Sequence, residues 1–124
     1  MTINHIKLNL LYLLSSFILI ILISGCEYEK IEPVLAPDNV IFSSDVQPIF
    51  TSKCISCHGG TQAPDLREQN SYSVLTAGSY LNLTEPENSN FYKKISGSGS
   101  MAQYATNEDR AIILRWIELG ALDN

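Results

Sequence analysis

The sequence is short of positive charge, of histidine and methionine, and of any alternating apolar pattern, and each shortage excludes something. Eight Lys and Arg stand against thirteen Asp and Glu. Such an acidic chain is a poor match for nucleic acid and suits a basic protein partner better. No run alternates apolar and polar residues as a half-buried strand would, which points to an all-α fold. No stretch reaches the roughly 20 consecutive apolar residues that span a bilayer core. No internal repeat is present. Histidine occurs twice, as His5 and His58, and methionine twice, as Met1 and Met101.

What is present begins with a leader-like segment. Residues 1–9 carry one cation, Lys7, and an apolar run follows from Leu10 to Ile23. Its length suits the h-region of a signal peptide better than a membrane span. The run ends at Ser24-Gly25-Cys26, and small residues before a cysteine at this place resemble the lipobox of bacterial lipoproteins. The resemblance implies cleavage before Cys26, lipid on its thiol, and a domain outside the cytoplasmic membrane, periplasmic or facing the outer surface. An uncleaved anchor helix with an incidental cysteine is the plainer alternative. Two or three acyl chains anchor stably where one is marginal, since each buried methylene contributes about 0.8 kcal/mol. Residues 1–25 are therefore expected to be a lipoprotein signal, residues 26–40 a lipidated tether and residues 41–124 the folded domain. The tether has two prolines and no sustained period, so it should stay solvated and extended. Cleavage would remove Met1, His5 and Lys7, leaving His58 and Met101 as the sole histidine and methionine.

Four helices can be read in the remainder. Ser44-Asp45-Val46-Gln47 has capping-box spacing, and Pro48 is tolerated only near a helix start, so the first helix should begin near Ser44. Val46, Ile49, Phe50 and Cys54 recur on one face that leads to Cys57 and His58, with Gly59-Gly60 as the stop. Ser71 should cap a short helix to Thr76, closed by Gly78, and Ser89 another through Phe91, Tyr92 and Ile95, closed by Gly97. The last helix should start at Thr106, carry acids in its first turn and end at Gly120. Ile112, Ile113, Trp116 and Ile117 form its apolar stripe, with Asp109, Arg110, Arg115 and Glu118 off it. About 85 residues bury too little for a large self-sufficient core, and a covalent apolar cofactor would supply the missing interior.

Cys54-Ile55-Ser56-Cys57-His58 has the spacing of a c-type haem attachment site. Positions i, i+3 and i+4 share a helix face, so two sulfurs can reach one edge of a macrocycle while the imidazole lies under its iron. A redox-active cysteine pair usually sits beside a βαβ unit, which is lacking here. A closed zinc site needs a fourth ligand beyond Cys54, Cys57 and His58. A structural disulfide stays open for a protein outside the cytoplasm. Met101 follows a pliable glycine-serine stretch and is the candidate sixth ligand. The alternatives are a plain loop or core methionine, with the sixth position empty or taken by Lys93, Lys94 or Tyr104.

The run Asp45 to Phe50, the motif Cys54 to Gly60, then Met101, then Arg115-Trp116-Ile117-Glu118-Leu119-Gly120-Ala121 together look like class I monohaem cytochromes c. Within that family the chain most resembles cytochrome c-like lipoproteins of Bacteroidetes and Planctomycetes, over residues 41–122. The resemblance implies a small all-α domain wrapped around one covalent haem c, with the last helix crossing the first. His58 would be the proximal ligand and Met101 the distal one, and a proline carbonyl, here that of Pro64, would accept the other N–H of the imidazole. Ala102 follows Met101 where the family usually has proline. Trp116, Tyr72, Tyr80, Tyr92 and Tyr104 could border the haem or bond its propionates, and Arg67 could pair with one. The function implied is single-electron transfer with redox partner proteins outside the cytoplasm rather than catalysis. An open-site sensor or enzyme for a gas or peroxide is the alternative, as is a haem subunit wired to a larger dehydrogenase complex.

Overall fold

The computed structural model describes residues 34–124 together with Lys7, so the expected signal, Cys26 and most of the tether lie outside the described residues. Among the described residues every regular element is helical. None of these helices is long and apolar enough to cross a membrane.

A single π-type turn, Phe42–Val46, leads into α1, Gln47–Lys53. Ser44 does not cap this entry as its spacing suggests. Asp45 does, because its carboxylate reaches back to accept the Ile41 N–H at 2.7 Å. Pro48 sits in the first turn of α1, where its missing N–H costs nothing. The helix then breaks at Cys54 and resumes as α2, Ile55–His58. The expected face survives the break, since the amides of both Cys57 (3.2 Å) and His58 (2.9 Å) donate to the Cys54 carbonyl.

Helix α3 spans Ser71–Ala77 and closes at Gly78 as expected, and α4 spans Asn90–Ile95 and closes at Ser96, one residue before the expected Gly97. Asn70 holds the cap position of α3, while Ser71 is fully buried and donates its hydroxyl to Gln47 Oε1. Ser89 does stand at the cap of α4, yet its hydroxyl accepts from the Asn82 amide at 2.9 Å instead of from the helix. Both hydroxyls are engaged by partners outside their helices, buried Gln47 and half-buried Asn82.

The last helix, α5, spans Asn107–Glu118 and opens on a complete capping box between Thr106 and Asp109. Such a box satisfies two of the helix's unpaired amides at once. Gly120 turns the chain with φ 95°, and the Ile117 and Trp116 carbonyls accept from the amides of Gly120 and Ala121. Ile113, Trp116 and Ile117 are buried as expected and Ile112 is half-buried. Asp109, read as lying off the stripe, is only 7 % exposed because Lys53 and the Thr106 cap enclose its carboxylate.

The core joins the two ends of the domain. Phe42 packs against Trp116 with ring centres 5.0 Å apart and edge-on to Tyr72 at 5.3 Å, and Phe50 meets Phe91 at 5.5 Å. The Trp116 indole donates to the Leu122 carbonyl, and Asn124 accepts from the amides of Phe42 and Ser43. The last helix is thereby fixed against the turn that opens the first. The packed region reaches back to Val40, which sequence placed at the end of the tether. Gln47 contributes a buried polar tie, donating to the Leu66 carbonyl at 3.2 Å while it accepts from Ser71. A buried amide with both ends satisfied fixes one arrangement of α1 against the segment that follows α2.

Candidate functional site

A cavity of about 460 Å³ opens between α2, α4 and the loop before α5. Its size falls in the range of pockets that hold cofactor-sized molecules. Cys54, Cys57, His58 and Met101 all line it, although Met101 lies 43 residues beyond His58 in sequence. The walls between them are mainly apolar, with Leu66, Phe91 and Ile95 shared with the core.

One wall is local. The Leu66 amide donates to the His58 carbonyl at 2.8 Å, which folds residues 59–66 back over the motif. This return places the Pro64 carbonyl 3.1 Å from His58 Nδ1. A carbonyl can only accept, so Nδ1 carries the proton and Nε2 is the nitrogen left free to bind a metal. Gly59 and Gly60 are both needed for the return. A side chain on Gly59 would meet the Ile55 carbonyl oxygen at 2.6 Å, and Gly60 has φ 102°. Both thiols are free, with Cys57 exposed and Cys54 partly enclosed. Burial pushes the Cys54 thiol up from its ordinary pKa, the Asp109 charge adds to this, and Lys53 opposes it. Cys54 is therefore held as a neutral thiol next to an ion pair, not activated as a thiolate nucleophile.

The other wall is assembled from a distance. The Met101 amide donates to the Lys94 carbonyl at 2.8 Å, and the Gly99 amide to Ser96 at 2.8 Å, so the glycine-serine loop wraps the end of α4. Gly99 lies against the carbonyls of Lys93 and Lys94, which leave no room for a side chain. From α5, the Arg110 guanidinium donates to the carbonyls of Ile95 (2.7 Å) and Ala102 (2.5 Å). The Lys53–Asp109 ion pair links α1, one residue before Cys54, to the start of α5. The spacing of Gln47, Lys53, Asp109 and Arg110 does not show these roles, because each depends on a partner outside its own helix.

The flanking candidates divide. Tyr80, Tyr104 and Lys94 line the cavity. Tyr72 and Trp116 do not, being committed to Phe42 in the core, and Tyr92 and Lys93 are likewise outside its walls. Arg67 is turned away and forms a forked pair with Asp65 at 2.6 Å. That guanidinium, together with the Asn70 amide, holds the Asp65 carboxyl well below the usual range. Among the described residues no three His, Cys, Asp or Glu side chains converge as ligands of a bare metal ion.

Two thiols three residues apart, an imidazole with one nitrogen already engaged, and a thioether thus surround one apolar cavity. Such a set could hold a flat apolar macrocycle by covalent bonds and offer a nitrogen and a sulfur ligand to its metal. No family model, curated protein or solved structure matches the chain.

Proposed function

We propose that the chain carries one covalent haem c and passes single electrons outside the cytoplasm, held at a membrane through lipid on Cys26. The observation that carries this reading is the convergence of Cys54, Cys57, His58 and Met101 on one cavity. Haem bound there supplies an iron that gains and loses one electron.

The chain's own residues hold and tune it. Cys54 and Cys57 would hold it through thioether links, each S–H adding across one vinyl group of the macrocycle. Pro64 fixes the tautomer of His58 and raises the basicity of its free nitrogen. Met101 would be the second protein ligand of the haem iron, and a thioether there would favour the reduced state and raise the potential. With His58 and Met101 both bound to the iron, the site would suit a carrier rather than a catalyst. Leu66, Phe91 and Ile95 exclude water from the apolar faces, which lowers the local dielectric and adds to control of the potential. Cys57 and Tyr104 are exposed where the cavity meets the surface, so an electron has a short way to a docked partner.

Acid-acetone extraction of the denatured native protein should leave the haem on the polypeptide, and the oxidised protein should be low-spin with thioether-to-iron absorption. Freely extracted haem would remove the attachment. A high-spin ferrous protein that binds carbon monoxide as fast as Met101→Ala would remove Met101 as a ligand and turn the reading to the open-site sensor or enzyme. Intact mass of native material should show lipid on Cys26, and an unmodified Cys26 would remove the anchor.

A further inference from the structure

The loop that carries Met101 is easy to bend and, for the same reason, costly to hold. Ser96-Gly97-Ser98-Gly99-Ser100 has no side chain larger than a hydroxymethyl group, and glycine loses more freedom on ordering than any other residue. Three backbone bonds fold it: Gly99 to Ser96, Met101 to Lys94, and Ala102 to Gly99. The bonds from Gly99 and Ala102 close the loop on itself and the one from Met101 ties it to the last turn of α4, while none attaches it to α5.

Arg110 makes that attachment. Its Nε donates to the Ile95 carbonyl just before the loop, and its Nη2 to the Ala102 carbonyl just after Met101. The third arm, Nη1, donates to Asn107 Oδ1 at 2.7 Å, which orients the fork on α5. Helix α5 is itself fixed at this end by the Thr106–Asp109 capping box. A planar fork can grip two carbonyls at once, whereas a lysine ammonium is a point charge on a flexible stem.

We propose that Arg110 is the positioning residue for Met101, holding both ends of its loop so that the thioether stays on the cavity. This rests on the reading of Met101 as the second axial donor.

The test uses the full-length haem-loaded protein as wild type, Arg110→Lys, Arg110→Gln, Met101→Ala and the double variant Arg110→Gln/Met101→Ala. Three quantities are read: haem retained after extraction, thioether-to-iron absorption as pH rises, and the rate of cyanide binding. Covalent haem should be retained in all five. Both Arg110 variants should lose the thioether absorption at lower pH than wild type. They should also bind cyanide faster by about tenfold, the effect of losing one hydrogen bond from a charged donor. Met101→Ala should bind cyanide fastest, and adding Arg110→Gln should change it no further, since residues acting through one group are not additive. Equal rates in wild type and Arg110→Gln would overturn the proposal. So would an Arg110→Gln effect of the same size with and without Met101, which would mean a general loosening of the fold. If wild type shows no thioether absorption at all, Met101 is not a ligand. The proposal then falls with it, even if amide exchange at Gly99 and Met101 quickens in Arg110→Gln.

Discussion

On one wall of the cavity the chemistry comes from five consecutive residues, and on the other from a single methionine whose loop is held by a helix it does not belong to. Cys54, Cys57 and His58 keep their relation through hydrogen bonds to one carbonyl, and the return to Pro64 needs only the next few residues. Met101 depends on α4 for its amide partner and on Arg110 of α5 for both ends of its loop. The first wall is set by helix geometry and survives local fraying. The second is set by tertiary packing and is only as firm as the contacts that reach it.

The largest test of this contrast compares the two walls directly. Cys54→Ser with Cys57→Ser should lose covalent haem completely, read as loss of haem from the polypeptide after extraction. Met101→Ala should keep all of it, lower the potential and open the sixth position to carbon monoxide. Met101→His should keep six ligands and also lower the potential, which separates loss of a ligand from change of its type. Haem lost equally from the methionine variants would mean the walls are not independent.

The same contrast explains what could be read in advance. Cys54 to His58 and the start of α5 at Thr106 were legible because spacing and capping are local properties. Met101 could be named as a candidate by elimination, but nothing in the glycine-serine stretch shows which way it folds. The serine hydroxyls at Ser44, Ser71 and Ser89 do not cap their helices, and the reasons differ. A serine's local preference is weak: Gln47 and Asn82 engage the hydroxyls of Ser71 and Ser89 from outside their helices, whereas near Ser44 it is the neighbouring Asp45 that reaches back to the Ile41 amide. Helical period puts Asp109 on the solvent side, and its burial follows from Lys53 reaching across from α1. Trp116 carries the same aromatic signal as Tyr80 and Tyr104 but sits behind the cavity, against Phe42.

That position gives Trp116 the next largest effect. It is fully buried against Phe42, so Trp116→Ala should cost about 3–5 kcal/mol. Both walls rest on this contact through α1 and α5, so denaturant unfolding of the haem-loaded protein should fall by that amount without a change in the visible spectrum before the transition. A spectrum altered under native conditions would place Trp116 in the site after all.

The distal loop can be probed at two glycines that differ in kind. Gly99→Ala places a methyl within 2.2 Å of the Lys93 carbonyl oxygen, backbone that cannot move cheaply, and should cost about 1–3 kcal/mol and displace Met101. Gly97→Ala meets no atom within 4 Å but keeps φ at 51°, so its cost should be about 1–2 kcal/mol, all of it backbone strain. Thioether absorption should weaken in the first and persist in the second. Equal spectra would show that the loop is slack where Gly99 appears wedged.

The smallest expected effect is at the joint between the walls. Burial of Asp109 works to raise its pKa, but hydrogen bonds from Lys53 and from the amide and hydroxyl of Thr106 outweigh it, so the folded value lies below the ordinary one. A carboxyl depressed by folding stabilises the protein above its unfolded pKa of about 4, and that contribution is lost as pH falls through the folded value. Asp109→Asn keeps the shape and one acceptor of the cap but removes the charge facing Lys53, and should cost about 1 kcal/mol at pH 7. The difference between wild type and variant in urea unfolding should hold down to about pH 5 and shrink below about pH 4. Because Lys53 directly precedes Cys54 and Asp109 directly precedes Arg110, the variant should also bind cyanide slightly faster while retaining its covalent haem. A stability difference that stays constant from pH 7 to pH 3 would show that the carboxylate's charge does not carry the joint, leaving the two walls coupled through the aromatic core alone.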